Sequence, residues 1–285
     1  MDHNLLLTLQ QAFPTMSKRH KLIAQYIIDH YDKAAFMTAT KLAQSVGVSE
    51  STVVRFAYAL QFQGYPELQS ALQEMVRGSL TTVQRLEMTD VMQEGEVLYS
   101  VLKSDMNSIR RTMDSVDPQL FSQAVDAIYG AKTIYLFGMR SASPLAQFLS
   151  YYLNYLSDHV CLLMNGVQDL FDQLMRAGPQ DVFIGISFPR YSNRTVDCMR
   201  FAKDKGAKTV AITDSVISPL TEYADYTLIA RSDMISLVDT LAAPMSLIQA
   251  LIVAMCMRKK DEASDYFSQL EQLWAQNRVY AGHDR

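Results

Sequence analysis

The chain has 285 residues, of which 49% are hydrophobic and 20% charged, and its formal net charge is −4. Because a domain takes roughly 150 residues, this length predicts two domains, and the apolar content is sufficient for two cores. The negative net charge does not favour nucleic-acid binding for the chain as a whole. It leaves that function open for one small domain, since a larger acidic domain can outweigh it in the total.

Cysteine is sparse and argues against two kinds of site. Cys161, Cys198 and Cys256 form an odd set without CxxC spacing, so neither a disulfide framework nor a zinc site is predicted. The five histidines have no His, Cys or carboxylate partner at metal-ligand spacing. We therefore predict no metal and no cofactor, and sparse cysteine is typical of the reducing cytoplasm.

The most apolar stretch covers residues 241–257 and is predicted to be a buried or interface helix. It contains Pro244, Ser246 and Gln249, and it falls short of the roughly 20 apolar residues of a membrane span. Residues 1–4 lack the basic flank and the cleavage site of a signal peptide. The sequence therefore predicts a cytoplasmic protein with no membrane segment.

Residues 1–77 are predicted to form a helical domain. Within it, apolar residues at helical spacing indicate two short helices, 40–46 and 49–60, which are separated by Gly47. Residues 78–116 are predicted to follow as a polar linker and a connecting helix.

The two short helices have the spacing of a helix-turn-helix. A steep helix crossing needs a small side chain, which Ala43 supplies, and the tight turn favours the positive φ that Gly47 tolerates. Val53 is expected to point into the core, and Ser49 stands where it can cap the second helix. The alternative, a plain helical bundle with a solvated polar face, would not require this order of residues.

The outer face of the second helix carries the residues that would read DNA. Once the apolar positions are removed, short donors and acceptors and one guanidinium remain, as in a recognition helix in the major groove. The predicted DNA-binding residues are Lys41, Ser49, Glu50, Ser51, Thr52 and Arg55. Whether Arg55 binds a guanine edge or a backbone phosphate stays open.

The N-terminal region resembles the MurR/RpiR family of bacterial regulators from about Phe13 to Val76. The resemblance rests on residues 17–27, 42–43, 48–56 and 62–68, which read SKRHKLIAQYI, LA, VSESTVVRF and FQGYPEL. Family members often carry Gly after the Leu that ends the recognition helix, where this chain has Gln61. That departure concerns the geometry of the turn after the helix.

Beyond residue 117, apolar strand-like runs alternate with helical segments. The runs are residues 133–137, 160–164, 182–186, 209–212 and 226–229. Strands that alternate with helices predict an α/β domain with a doubly wound parallel five-stranded sheet, covered on both faces. This domain is expected to cover residues 117–260, and a C-terminal helix and tail to cover residues 261–285.

Three loops rich in hydroxyls and arginines each follow a predicted strand. In a parallel sheet such loops lie at the carboxyl edge, where ligands bind, and the free N–H groups of a helix start attract anions. The predicted effector-binding residues are Arg140, Ser141, Ser143, Ser187, Arg190, Ser192, Arg194, Thr195, Thr213 and Ser218. The alternative for any one loop is a set of helix caps without a ligand. For Arg190 and Arg194 the alternative is solvation or an ion pair with Asp197 or Asp214.

This second half resembles the sugar isomerase (SIS) domain that the same family carries, in which Ser and Thr loops clasp a phosphorylated sugar. The loops depart from the common pattern. Arg140 and Ala142 stand where many SIS domains have Gly and Ser, and residues 187–192 read SFPRYS where Ser-x-Ser-Gly-x-Thr is typical. More arginine and less glycine point to a different anionic ligand, such as a relative of a phosphorylated sugar or a carboxylate.

The two resemblances together imply a bacterial transcription regulator, with no catalytic residues, that binds operator DNA and is controlled by a phosphorylated sugar or a related anionic metabolite. A homodimer or homotetramer is expected, because helix-turn-helix proteins commonly bind two half-sites. The alternative is an enzyme, a phosphosugar isomerase with a helical assembly domain. An isomerase needs a general base, and Asp214 is the one carboxylate in the three loops.

Overall fold

The computed structural model describes residues 5–76, 80–87, 89, 94–166 and 168–281. The chain divides into two compact units, Met1–Gln93 and Glu94–Arg285. Of the predicted linker, residues 78–79, 88 and 90–93 lie outside the described residues, whereas Thr82–Glu87 form a helix of the first unit. Gln84 of that helix donates a hydrogen bond to Asp32 at 3.3 Å, so the first unit extends beyond residue 77.

The described part of the first unit is all-helical. Its helices are α1 (Leu5–Ala12), α2 (Lys18–Asp29), α3 (Tyr31–Ala34), α4 (Ala39–Val46), α5 (Glu50–Ala59), α6 (Tyr65–Val76) and α7 (Thr82–Glu87). Hydroxyl caps fix the starts of two of them: Ser17 Oγ accepts from the His20 N–H in α2, and Thr38 Oγ1 accepts from the Lys41 N–H in α4. Apolar residues of α2, α4, α5 and α6 are fully buried and form the core of this unit.

The second unit is an α/β domain with seven α-helices and five strands in its described residues. The helices are α8 (Val97–Ser115), α9 (Pro118–Tyr129), α10 (Ser143–Leu153), α11 (Leu170–Leu174), α12 (Asn193–Asp204), α13 (Ala242–Arg258) and α14 (Lys260–Gln276). The strands are β1 (Ile134–Gly138), β2 (Val160–Leu162), β3 (Val182–Ile186), β4 (Lys208–Thr213) and β5 (Tyr226–Ile229).

All strand pairs in the sheet are parallel, and the strand order is β2-β1-β3-β4-β5. Alternate residues of each strand enter two separate cores: Leu136 and Ile184 pack with α9, α10 and α13, whereas Phe137 and Phe183 pack with α11 and α12. The predicted doubly wound five-stranded sheet is confirmed. The order reverses between β1 and β3, and ligands of such sheets bind at the carboxyl ends of the strands at this point.

The apolar stretch at residues 241–257 is mainly a core helix. One face of α13 is buried in the core that contains Leu136 and Ile184, through Leu247, Ile248, Leu251, Ile252 and Met255. In the part of the chain that the structure describes, no single helix is long and apolar enough to cross a membrane. The sharply bent pair of α13 and α14 reaches the length and apolar composition of a membrane span only when the two helices are taken together.

Candidate functional site

The turn between α4 and α5 has the predicted left-handed backbone. Gly47 ends α4 with φ +73°, and the Val48 N–H donates to the Ala43 carbonyl at 3.0 Å. Ala43 and Val53 are buried, as the helix crossing requires. The predicted steric roles of Ala43, Gly47 and Val53 are therefore confirmed.

Five of the residues predicted to contact DNA lie at the start of α5 or within it, and we call Ser49, Glu50, Ser51, Thr52 and Arg55 the α5 face. Lys41, Ser49, Glu50, Ser51 and Arg55 are exposed and Thr52 is half-buried. The prediction that Ser49 caps α5 is wrong in one respect: it occupies the cap position, but its hydroxyl makes no bond to the helix backbone. It lies instead 3.0 Å from Ser51 Oγ and 2.8 Å from Thr52 Oγ1, because these two neighbouring hydroxyls compete with the backbone for it.

The turn after α5 keeps a left-handed residue although the chain lacks glycine there. Gln61 has φ +69° and follows Leu60, the buried residue at the C-cap of α5. The backbone geometry that glycine would favour is thus present, and the side chain of Gln61 accommodates it at some cost in strain.

The first loop of the second unit begins at a glycine that allows no side chain. A Cβ on Gly138 would lie 2.7 Å from the Ala142 carbonyl oxygen, so the chain can fold back tightly only with glycine here. Arg140 follows with φ +58°, and it and Ser141 are exposed. Ser143 starts α10 half-buried, and its hydroxyl accepts from Gln147 Nε2 at 3.0 Å.

The second loop follows β3 and closes on its own first residue. Ser187 is buried, and its Oγ accepts from the Ser192 N–H at 3.2 Å. Arg190, at φ +64°, and Arg194 are exposed. Thr195, in the first turn of α12, is fully buried, and its Oγ1 has no hydrogen-bond partner among the described residues.

The third loop turns its predicted site residues inward. Thr213 and Ser218 are both buried, and Thr213 Oγ1 donates to Ser218 Oγ at 2.8 Å. Ser218 Oγ also accepts from the Leu220 N–H at 3.4 Å. These two hydroxyls therefore fix the shape of the loop in this conformation, whereas the exposed predicted residues lie on the first two loops.

Specific bonds bring the three loops together at one edge of the sheet. Ser192 Oγ lies 3.5 Å from Met139 Sδ, which joins the second loop to the first. The Tyr191 hydroxyl donates to Asp214 Oδ1 at 2.9 Å, which joins the second loop to the third. The predicted convergence of the loops is thus present, at the point where the strand order reverses.

Sequence reasoning missed a chain of hydrogen bonds that leads from these loops to α8. Arg231 Nη1 donates to the Asp214 carbonyl at 3.3 Å, and the Arg231 N–H donates to Thr112 Oγ1 at 2.8 Å. With the Tyr191 bond to Asp214, this forms a continuous route of four residues, which we call the Tyr191–Thr112 chain. No local motif marks Arg231 or Thr112, because their partners are distant in sequence.

Two reactive side chains near the loops, Asp197 and Cys198, are held in an ion pair and in the protonated form, respectively. Asp197, one of the partners considered for Arg194, pairs with Arg200 at 2.9 Å. Burial raises the pKa of the Cys198 thiol to about 12. Among the residues that the structure describes, no group of three or more His, Cys, Asp or Glu side chains could hold a metal ion.

Comparison with known proteins matches each half to a described domain. Residues 3–78 match the helix-turn-helix domain of the rpiR family, and residues 127–254 match the SIS domain. The chain belongs to the RpiR family. The two matched segments fall on the helical unit and on the sheet with its three loops.

Relatives of this RpiR-family chain are transcriptional regulators by name. An HTH-type regulator described as uncharacterized, from Haemophilus influenzae, is 28% identical over 229 residues, which cover 79% of this chain and 79% of the relative. HexR, an HTH-type transcriptional regulator of Pseudomonas aeruginosa, is 26% identical over 219 residues, which cover 74% of this chain and 73% of HexR.

Solved structures share the fold. The sugar isomerase domain of an RpiR transcription factor from Sphaerobacter thermophilus has a TM-score of 0.60 and 26% identity, and the match covers 62% of this chain and 99% of that one. NanR of Vibrio vulnificus, solved with ManNAc-6P, has a TM-score of 0.58 and covers 98% of this chain and 100% of NanR. At 19% identity, the likeness to NanR shows the fold alone.

Proposed function

We propose that this RpiR-family protein is a transcription regulator that binds operator DNA through the α5 face and is controlled by a phosphorylated sugar or a related anionic metabolite. One observation carries the proposal: a single chain holds an exposed polar recognition face and, in its SIS domain, hydroxyl and arginine loops that meet at the switch point of the sheet. NanR, which shares the fold, was solved with a phosphorylated sugar, and this supports the ligand class.

DNA binding follows from what the α5 face presents. Its hydroxyls can donate to and accept from base edges, and the exposed Arg55 guanidinium can bind a guanine edge or a phosphate. Lys41 lies beside this face and is suited to a backbone phosphate, which fixes register without reading sequence.

The test is operator binding by Arg55→Ala, measured by fluorescence anisotropy on DNA that flanks the protein's own gene, at fixed salt. We expect a loss of roughly 1–3 kcal/mol in binding free energy if Arg55 reads a base. Arg200→Ala is the matched control, because it removes an exposed arginine of α12 in the other unit. Equal affinity of both variants would refute the assignment of the α5 face to DNA.

Effector binding is inferred from the two arginines that stand at typical glycine positions of SIS loops. Arg140 and Arg190 both hold a left-handed backbone, which costs an L-residue roughly 1–2 kcal/mol. Such strain persists where the surroundings or a function require it. We infer that the two guanidiniums bind anionic groups of the ligand, with Ser141 and Ser192 as hydroxyl partners.

A thermal-shift screen of phosphorylated metabolites on the full chain tests the effector site. A ligand at 100 times its dissociation constant should stabilise the protein by ~2.7 kcal/mol. Arg190→Ala should lose this stabilisation, and Arg200→Ala should keep it. If Arg190→Ala responds like the wild type, the second loop is not the anion site.

We also infer that the protein is not an isomerase. Asp214, the carboxylate of the three loops, is buried and accepts the Tyr191 hydroxyl, so it is badly placed to remove a proton from a bound sugar. The Cys198 thiol, with a pKa of about 12, stays protonated and is a weak nucleophile. Turnover of common sugar phosphates by the purified protein would contradict this inference.

Two further features of the proposal follow from operator binding. A helix-turn-helix protein that binds a two-fold operator needs two recognition helices, so we propose a homodimer. We assign the protein to the cytoplasm because operator DNA is found there.

A further inference from the structure

Helix α8 buries its polar face. Ser108 is fully buried, and its hydroxyl donates to Asp233 Oδ2 at 2.8 Å. Thr112 is buried one turn later, and Thr240 Oγ1 donates to Asp105 one turn earlier. Arg111 adds an ion pair to Asp233 at 2.9 Å. The inner surface of α8 is therefore held to its domain largely by hydrogen bonds and charge.

Beside this buried face, α8 carries a regular row of exposed apolar residues, which we call the α8 seam. The row consists of Tyr99 (76% exposed), Leu102 (50%), Met106 (64%), Ile109 (40%) and Met113 (68%). Successive members are separated by three, four, three and four residues. Single exposed apolar side chains are ordinary, but a sustained alternation of three and four is the a and d pattern of a coiled coil.

We propose that the α8 seam pairs with the same seam of a second copy, as a parallel two-helix contact. A contiguous row of exposed apolar side chains marks a surface that another apolar surface covers. A second copy supplies a surface of the same length and periodicity, as a two-fold contact requires. This inference rests on the homodimer proposed above and names where its subunits meet.

Charge decides the orientation of the two helices. With Tyr99, Met106 and Met113 at a positions, the e positions are Lys103 and Arg110, and a g position is Asp105. In a parallel pair the e row lies beside the partner's g row, where Asp105 already accepts a hydrogen bond from Thr240 of its own domain, so no cation is opposed to a cation. In an antiparallel pair the two e rows face each other, which opposes cations to cations. The parallel arrangement is therefore favoured.

A parallel seam also suits operator binding. The DNA-binding unit ends at Gln93, a few residues before α8 begins at Val97. Each DNA-binding unit is thus joined to the N-terminal end of its own α8. Parallel pairing places these two ends side by side. Two half-sites on one stretch of DNA require two recognition helices that can reach the same duplex.

The first test is sedimentation of the full-length protein at micromolar concentration. Leu102→Glu with Ile109→Glu places two charges in the seam, and Ser100→Glu with Asn107→Glu places two charges at exposed positions outside it, with the same seven-residue separation. We expect the wild type and the control to be dimers and the seam variant to be a monomer with an unchanged circular dichroism spectrum.

Each other outcome has a defined meaning. A dimeric seam variant overturns the seam and leaves the homodimer intact. A monomeric wild type overturns both the seam contact and the homodimer, and the α8 seam would then bind a different partner. None of these measurements involves DNA or effector, so the seam and the regulator function fail separately.

The second test uses cysteine cross-linking, which also serves if the seam variant fails to fold. In a Cys256→Ser background, which removes the exposed native thiol, Tyr99→Cys and Met113→Cys are oxidised separately and as a mixture. A parallel seam predicts that each variant cross-links to itself, because equal a positions face each other. Cross-linking only in the mixture would overturn the parallel orientation. No cross-linking in any sample, as expected for the Asn107→Cys control, would overturn the seam.

Discussion

Helices α5 and α8 are both amphipathic, but they expose opposite faces. α5 buries Val53 and Phe56 completely, and it exposes Arg55 and the hydroxyl of Ser51. α8 buries Ser108 and Thr112 and turns five apolar side chains outward. Periodicity therefore shows only that a helix has two faces. Which face the fold buries decides whether the exposed one suits water and nucleic acid or another apolar surface.

Substitution on the buried face of α5 should cause a large loss of stability. Phe56 is among the largest fully buried side chains, so Phe56→Ala should lower the free energy of unfolding of the first unit by roughly 3–5 kcal/mol. The measurement is urea unfolding followed by circular dichroism. Tyr58→Ala removes an aromatic ring from the same helix at a side chain that is largely exposed, and it should cost less than about 0.5 kcal/mol. Equal losses would mean that α5 does not bury the face described.

The next prediction concerns the buried polar face of α8. Alanine forms helices better than serine, so Ser108→Ala would stabilise a helix in which this position made no specific contact. Here the change removes the hydrogen bond to Asp233, and we expect a loss of roughly 1–3 kcal/mol in the stability of the second unit. Ser100→Ala, at an exposed position of α8, is the control and should be neutral or slightly stabilising. A gain in stability for Ser108→Ala would contradict the reversed orientation of α8.

The two ends of α5 allow a prediction with opposite signs. Gly47 and Gln61, before and after α5, have almost equal positive φ angles of +73° and +69°. A Cβ at Gly47 meets no atom within 4 Å, so Gly47→Ala should cost only backbone strain, roughly 1–2 kcal/mol. Gln61→Gly should relieve the same strain, less the extra freedom of glycine in the unfolded chain, and thus stabilise slightly. Melting temperatures that move in the same direction would refute this account.

Much of the first unit could be predicted because its signals are local. Ala43, Gly47 and Val53 lie within one short segment, and their roles follow from the sterics of two helices and a turn. The strands and their loops were also predicted, because apolar runs and the residues after them are contiguous. The orientation of α8 could not be predicted in this way. Ser108 has its partner at Asp233, far along the chain, and only the folded domain shows that its hydroxyl points inward.

The same limit applies to the effector loops. Thr213 and Ser218 have the residue types of a binding loop, but burial turns them toward each other. Tyr191 lies between predicted site residues, yet its role depends on Asp214 and, through it, on Arg231. Local sequence identifies which loops carry polar groups. It does not show which groups face the ligand and which connect the loops to the rest of the domain.

The hydrogen bonds between the effector loops and α8 allow a prediction of a small change in the response to effector. Through the Tyr191–Thr112 chain, a ligand that moves the second loop can bias the position of α8, and coupling of this kind requires two states that the ligand and the operator prefer differently. Tyr191→Phe removes one hydroxyl, which donates to Asp214 at 2.9 Å, and keeps the ring. We expect operator affinity without effector to stay unchanged.

The response to effector should shrink in that variant, because a typical intramolecular hydrogen bond contributes about 0.5–1.5 kcal/mol net. The ratio of operator affinities with and without the screened ligand should therefore fall by roughly two- to tenfold. Tyr266→Phe removes a hydroxyl from an exposed tyrosine of α14 and should leave the ratio unchanged. If Tyr191→Phe binds the ligand normally and keeps the full response, coupling does not run through Asp214. If it loses ligand binding as well, Tyr191 belongs to the effector site itself, and the route from the loops to α8 must begin at another residue.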